Sequence, residues 1–66
     1  MKLTDLWARL EATFGPGYAA SVARDQVLTQ LGGRTIKQAL DEHEEVHKVW
    51  RAVVAAYPDR VPARLR

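Results

Sequence analysis

His43-Glu44-Glu45-Val46-His47 spells H-E-x-x-H. On a continuous helix, two histidines four residues apart share a face. They can then hold one zinc ion while the glutamate activates a metal-bound water. Such a site needs a third protein ligand, and the only acid downstream of the string is Asp59. The chain has no cysteine, so thiolate ligands and disulfides are excluded. A peptidase also needs a cleft for an extended substrate, and 66 residues barely bury one core. We read His43 and His47 as surface histidines in an acidic junction, adventitious metal ligands at most. A zinc-dependent hydrolase through His43, Glu44 and His47 is the remote alternative. No metal or other cofactor is expected. Ser21 has no recognisable base and acid partners, so nucleophilic catalysis has no support either.

Basic groups offer a second kind of chemistry. Five of the ten cations, Lys48, Arg51, Arg60, Arg64 and Arg66, fall in the last part of the chain. Lys48 and Arg51 are expected to share the exposed face of a helix. Gly32-Gly33 between two helical segments also suggests a helix-turn-helix, with Arg34, Lys37 and Gln38 on its second helix. The residues before the glycines, Leu28 and Thr29, fit that motif poorly. Asp41, Glu42, Glu44 and Glu45 would repel phosphate. The candidate set for a nucleic-acid or protein partner is Arg34, Lys37, Lys48, Arg51, Arg60, Arg64 and Arg66. The plainer reading of the basic C-terminal part is a solvated face and a frayed tail.

Composition sets bounds on all of these. The 66 residues are 47% hydrophobic and 27% charged, which means one domain with a small core. Net charge is only +2 despite a pI near 9.4, which weakly favours an acidic partner. A DNA-coating protein usually carries more, since phosphate neutralisation supplies most of its affinity. No apolar run approaches the roughly 20 residues of a membrane span. The opening Met1-Lys2-Leu3-Thr4-Asp5 has no apolar segment of the kind signal peptides carry. A soluble cytoplasmic protein without membrane contact is expected, of unstated oligomeric state.

The elements follow from periodicity and punctuation. Leu3, Leu6, Trp7, Leu10 and Phe14 form one helical stripe, and a first helix over about 5–14 is expected with Thr4 as its cap. Gly15-Pro16-Gly17 ends it. A second helix over 16–31 is apolar on two sides, so it is placed between helices one and four. A polar pair on such a helix, Arg24-Asp25, is expected to be partly buried. Thr35 and Gln38 fit a capping box for a short third helix over 35–41. Val46, Val49, Trp50, Val53 and Tyr57 carry a fourth helix over 44–57, which Pro58 ends. The tail, 58–66, holds three arginines and two anchoring candidates, Val61 and Leu65. No β-branched and polar residues alternate over several positions, so no strand is expected. The expected fold is all-α, a compact three-to-four-helix bundle. Trp7, Phe14, Tyr18, Trp50 and Tyr57 would supply its largest core surfaces.

Several blocks together resemble a known family. They are Leu3-Thr4-Asp5-Leu6-Trp7, Phe14-Gly15-Pro16-Gly17-Tyr18-Ala19, Ala23-Arg24-Asp25-Gln26-Val27-Leu28, Leu31-Gly32-Gly33-Arg34-Thr35 with Ala39-Leu40, and Val49-Trp50-Arg51-Ala52-Val53 with Val61-Pro62. The chain is similar along nearly its whole length to a small actinobacterial family of unknown function, encoded near the recombinase RecA and its regulator RecX. The resemblance implies a link to DNA repair by gene neighbourhood, and no assigned catalytic or binding residue comes with it. The family pattern does not include H-E-x-x-H. The resulting expectation is a non-enzymatic helical interaction module with a protein partner, an accessory to recombination or repair. A weak nucleic-acid binder using the basic face is the alternative.

Overall fold

A computed structural model describes all 66 residues. The first helix, α1, runs Leu3–Phe14 and buries Leu6, Leu10, Thr13 and Phe14. It starts two residues earlier than the position of Thr4 suggests. Lys2 is the cap residue, and the Asp5 carboxylate accepts the Lys2 amide at 3.1 Å. An ionised acceptor on a free first-turn amide is the stronger cap, because it also meets the positive end of the helix dipole. Gly15, at φ 93°, then turns the chain.

The second helix, α2, is Ala19–Asp25 and far shorter than expected. Pro16 sits in the turn before it, not in its first turn. After Gln26 the backbone extends, and β1 (Val27–Leu28) pairs antiparallel with β2 (Arg34–Thr35), Val27 against Thr35 and Leu28 against Arg34. A 3₁₀ turn over Thr29–Leu31 joins them and sinks Leu31 into the core. Gly32 and Gly33 take φ values of 70° and 80°, which only glycine adopts without strain, and this reversal closes the hairpin. The chain is thus mostly helical with a small two-stranded sheet, not purely α. The hairpin also removes the helix-turn-helix, since α2 ends before the glycines.

Thr35 caps α3 (Ile36–Asp41) as its sequence foretold. Its hydroxyl accepts the Gln38 amide at 3.0 Å, and the Gln38 side chain accepts the Thr35 amide at 2.8 Å. The helix ends in a Schellman turn, with the His43 amide on the Leu40 carbonyl and the Glu44 amide on the Ala39 carbonyl. The last helix, α4, is Val46–Ala56 and buries Val49, Trp50, Ala52 and Val53.

The core gathers fourteen buried apolar residues from all four helices, β1 and the first 3₁₀ turn, with Val61 of the tail. The main neighbours of α2 are α1 and α3, whereas α4 packs on α1, α3 and the 3₁₀ turn bearing Leu31. The two-sided helix is therefore not a spacer between α1 and α4. The hairpin takes over part of that role, which is why apolar residues persist after Asp25. Phe14 and Trp50 are buried, Trp7 and Tyr57 are half-buried, and Tyr18 is 71% exposed and outside the core. The tail is ordered, not frayed. Val61 is buried, a second 3₁₀ turn covers Ala63–Leu65, and the Trp50 Nε1–H donates to the Leu65 carbonyl at 3.0 Å.

Candidate interaction surface

The structure divides the seven cations marked by the sequence. Arg34 is committed inside the fold. Its Nε donates to the Leu31 carbonyl at 2.7 Å, Nη1 to Glu42 Oε1 at 2.9 Å and Nη2 to Glu44 Oε2 at 2.8 Å. The bonds from Arg34, and then the one from Lys48, hold the Glu44 carboxyl below its ordinary range. The bonds to Glu44 and Glu42 in turn raise the Arg34 guanidinium. A cation held in this way joins hairpin to helix junction and offers little to a partner. Lys37 pairs with Asp41 at 3.1 Å and Lys48 with Glu44 at 3.4 Å, each one helical turn apart. Arg24 and Asp25 do pair, at 3.4 Å, but on the surface and not partly buried.

Arg51, Arg60, Arg64 and Arg66 have no acidic partner among the ion pairs. Two of them meet. Arg51 and Arg66 line one groove with Arg9 and His47, over apolar surface from Trp50, Val54 and Ala55, in a volume of about 400 Å³. Helix geometry sets this arrangement. His47, Arg51 and Ala55 follow at four-residue spacing on α4, with Trp50 and Val54 in the adjacent row. Arg9 reaches across from α1, its guanidinium carbon 5.6 Å from the Trp50 ring centroid. This cation–π contact fixes the head of Arg9 at the groove. Arg66 comes from the tail, where its side chain also donates to the Val61 and Pro58 carbonyls.

Arg60 belongs to a different pocket, of about 380 Å³, walled by Phe14, Tyr18, Val22, Gln26 and Tyr57. Its guanidinium carbon lies 5.4 Å from the Phe14 ring centroid, and Tyr57 meets Phe14 edge-on at 5.1 Å between centroids. Trp7 lines a third hollow with Leu3, Ala20, Ala23 and Leu40, between α1, α2 and α3.

The H-E-x-x-H string does not lie on one helix. His43 has φ 65° and forms the left-handed corner of the Schellman turn, while His47 sits on α4. The two imidazoles therefore lack the shared helical face of a zinc peptidase. No three side chains of the histidine, aspartate and glutamate kind converge as metal ligands.

Residues 1–64 match the family model described as "Protein of unknown function (DUF3046)". The chain belongs to that family. No curated protein and no solved structure matches it. No helix of this DUF3046 member is long and apolar enough to cross a membrane.

Sequence reasoning missed Arg9 as a groove residue. Asp5 stands four residues before it, which invites a helical ion pair. Asp5 is used instead on the Lys2 amide, and Arg9 is left unpaired. Arg51 did carry a signal, for no acid stands three or four residues to either side of it.

Proposed function

We propose that this DUF3046 chain is a non-enzymatic interaction module that docks an acidic segment of a protein partner in the groove of Arg9, His47, Arg51 and Arg66. The observation that carries the reading is the sorting of the charges. Arg24, Arg34, Lys37 and Lys48 are paired with acids, while three unpaired arginines crowd one groove with an apolar floor. Arginine suits such a role, since its planar fork matches a carboxylate with two parallel hydrogen bonds. The groove is short, and the surplus of two charges is small for a protein whose affinity rests on many phosphates. Val54 and Ala55 add apolar contact that a peptide uses better than a phosphate backbone does. We read the module as an accessory to recombination or repair in the cytoplasm, a reading supported by the resemblance to a family encoded beside a recombinase and its regulator.

The test is affinity capture with the wild-type chain and with Arg51→Glu, each with and without nuclease. Arg51 is exposed, so the variant folds. The expected result is a protein retained by wild type after nuclease and lost with Arg51→Glu. A captured set that disappears with nuclease, joined by salt-sensitive binding to labelled DNA, would replace this reading with the nucleic-acid one.

A further inference from the structure

The pocket around Arg60 has the chemistry of a second subsite. It combines three aromatic rings, Phe14, Tyr18 and Tyr57, with one charged residue. That charge is a guanidinium held over Phe14 and without an acidic partner in the chain. Tyr18 stands 71% exposed at its rim, a large ring in water at a place where core packing does not explain it. Its volume of about 380 Å³ lies at the small end of ligand pockets and suits one large side chain, not an extended ligand.

The pocket is also placed along the same helices as the cationic groove. On α1, Arg9 faces the groove and Phe14 the pocket, about 7.5 Å apart along the axis at 1.5 Å per residue. On α4 the groove takes Trp50 and Val54, and Tyr57 at the helix end walls the pocket. The two side chains also stand about 140° apart around α1, which at a radius of about 6 Å carries the span to roughly 15 Å, so an extended peptide at about 3.3 Å per residue connects the two places with about four to six residues.

We infer that the partner segment is bipartite: acidic residues seat in the groove, and a large apolar side chain four to six positions away enters the Phe14–Tyr18–Tyr57 pocket beside a carboxylate held by Arg60. This rests on the proposed function, whose acidic segment it extends into a motif. Charge complementarity selects the occupant. A purely apolar residue would leave the Arg60 guanidinium facing it unpaired, whereas a flanking carboxylate meets it. Tyrosine and arginine are also the residue types that most often dominate binding energy.

The test is selection of a phage-displayed library of random peptides on the wild-type chain, followed by fluorescence anisotropy of an enriched peptide against variants. Tyr18→Ala removes an exposed ring and Arg60→Glu an exposed charge, so neither disturbs the core. The expected result is enrichment of acidic residues spaced four to six positions from a Phe, Trp or Leu. Binding should weaken about tenfold or more in Tyr18→Ala and in Arg60→Glu. Acidic peptides that lose affinity in Arg51→Glu but not in Tyr18→Ala or Arg60→Glu would overturn this inference and leave the proposed function standing. No enrichment at all would overturn both. A concentration-dependent dimer that dissociates in Tyr18→Ala during sedimentation would also overturn it, giving the pocket to a second copy of the chain.

Discussion

Replacing Trp50 with phenylalanine separates two jobs of one side chain. Trp50 is 2% exposed and fills the core, and its Nε1–H holds the Leu65 carbonyl at 3.0 Å. Phenylalanine keeps most of the ring volume and removes the donor. Loss of the hydrogen bond costs about 0.5–1.5 kcal/mol net. The missing ring atoms leave a small void, which adds roughly 0.5–1 kcal/mol. The total of about 1–2.5 kcal/mol lowers the Tm by some 5–15 °C in a domain this small. Trp50→Ala is a different matter, costing about 3–5 kcal/mol. In a chain of 66 residues a single core rarely supplies more than about 3–5 kcal/mol, so the alanine variant is expected to be largely unfolded. Urea unfolding followed by circular dichroism gives both values, and Trp7 remains as a fluorescent reporter in each. Hydrogen exchange supplies the sharper readout. The Leu65 and Arg66 amides bond the Pro62 and Ala63 carbonyls inside the tail. Their exchange in Trp50→Phe should rise about fivefold beyond the rise at amides of α1, the factor that one kcal/mol gives. Uniform acceleration at every amide would show that the indole N–H does not hold the tail. A Trp50→Ala protein melting cooperatively near the parent temperature would refute its place in the core.

Three further outcomes are expected. His43→Gly relieves a left-handed backbone at the end of α3, and the gain of about 1–2 kcal/mol less the glycine entropy cost leaves a Tm a few degrees higher; a lower Tm in a thermal melt would contradict the turn. Thr35→Ala breaks the capping box and should cost about 1 kcal/mol in urea unfolding, with Thr35→Ser restoring most of it. Glu44 titrates below its ordinary value of 4.5, so its contribution to stability is complete above that pH and disappears as pH falls through the lower folded value. The stability difference between wild type and Glu44→Gln should therefore be constant at neutral pH and shrink in acid, and a difference independent of pH down to acid unfolding would show that the Arg34 contact is not formed.

Local signals in the sequence are the legible ones. The stripes of α1 and α4 placed Leu6, Leu10, Val49, Trp50 and Val53 in the core, and Thr35 with Gln38 announced its own cap. These features depend on residues within one or two turns of each other. The end of α2 was not legible in the same way. Val27, Leu28 and Leu31 extend an apolar pattern past Asp25 that suits a helix as well as a short hairpin, and two-residue strands are too brief to show alternation. Tyr18 shares a side with Val22 if a second helix runs from Pro16 and is covered on both sides, but α2 begins only at Ala19, and Tyr18 in the turn before it is exposed. The basic face is legible only in part for a related reason. Arg34 reads as a free cation until its partners eight and ten residues downstream are known, and Arg9 reads as paired until Asp5 is seen capping the helix.

The clamp made by Arg34 has a consequence for how the chain folds. It closes loops of only eight and ten residues, to Glu42 and to Glu44, and loop-closure entropy for such spans is small. Hairpin, α3 and the entry to α4 can therefore assemble early as one cooperative unit. The Trp50–Leu65 contact spans fifteen residues and waits for α4 to be in place. The tail, held by Val61 and the Trp50–Leu65 hydrogen bond, is expected to open before the clamped centre does. Arg66 leaves with it, so the groove loses one of its arginines in a partly open state that still keeps Arg9 and Arg51.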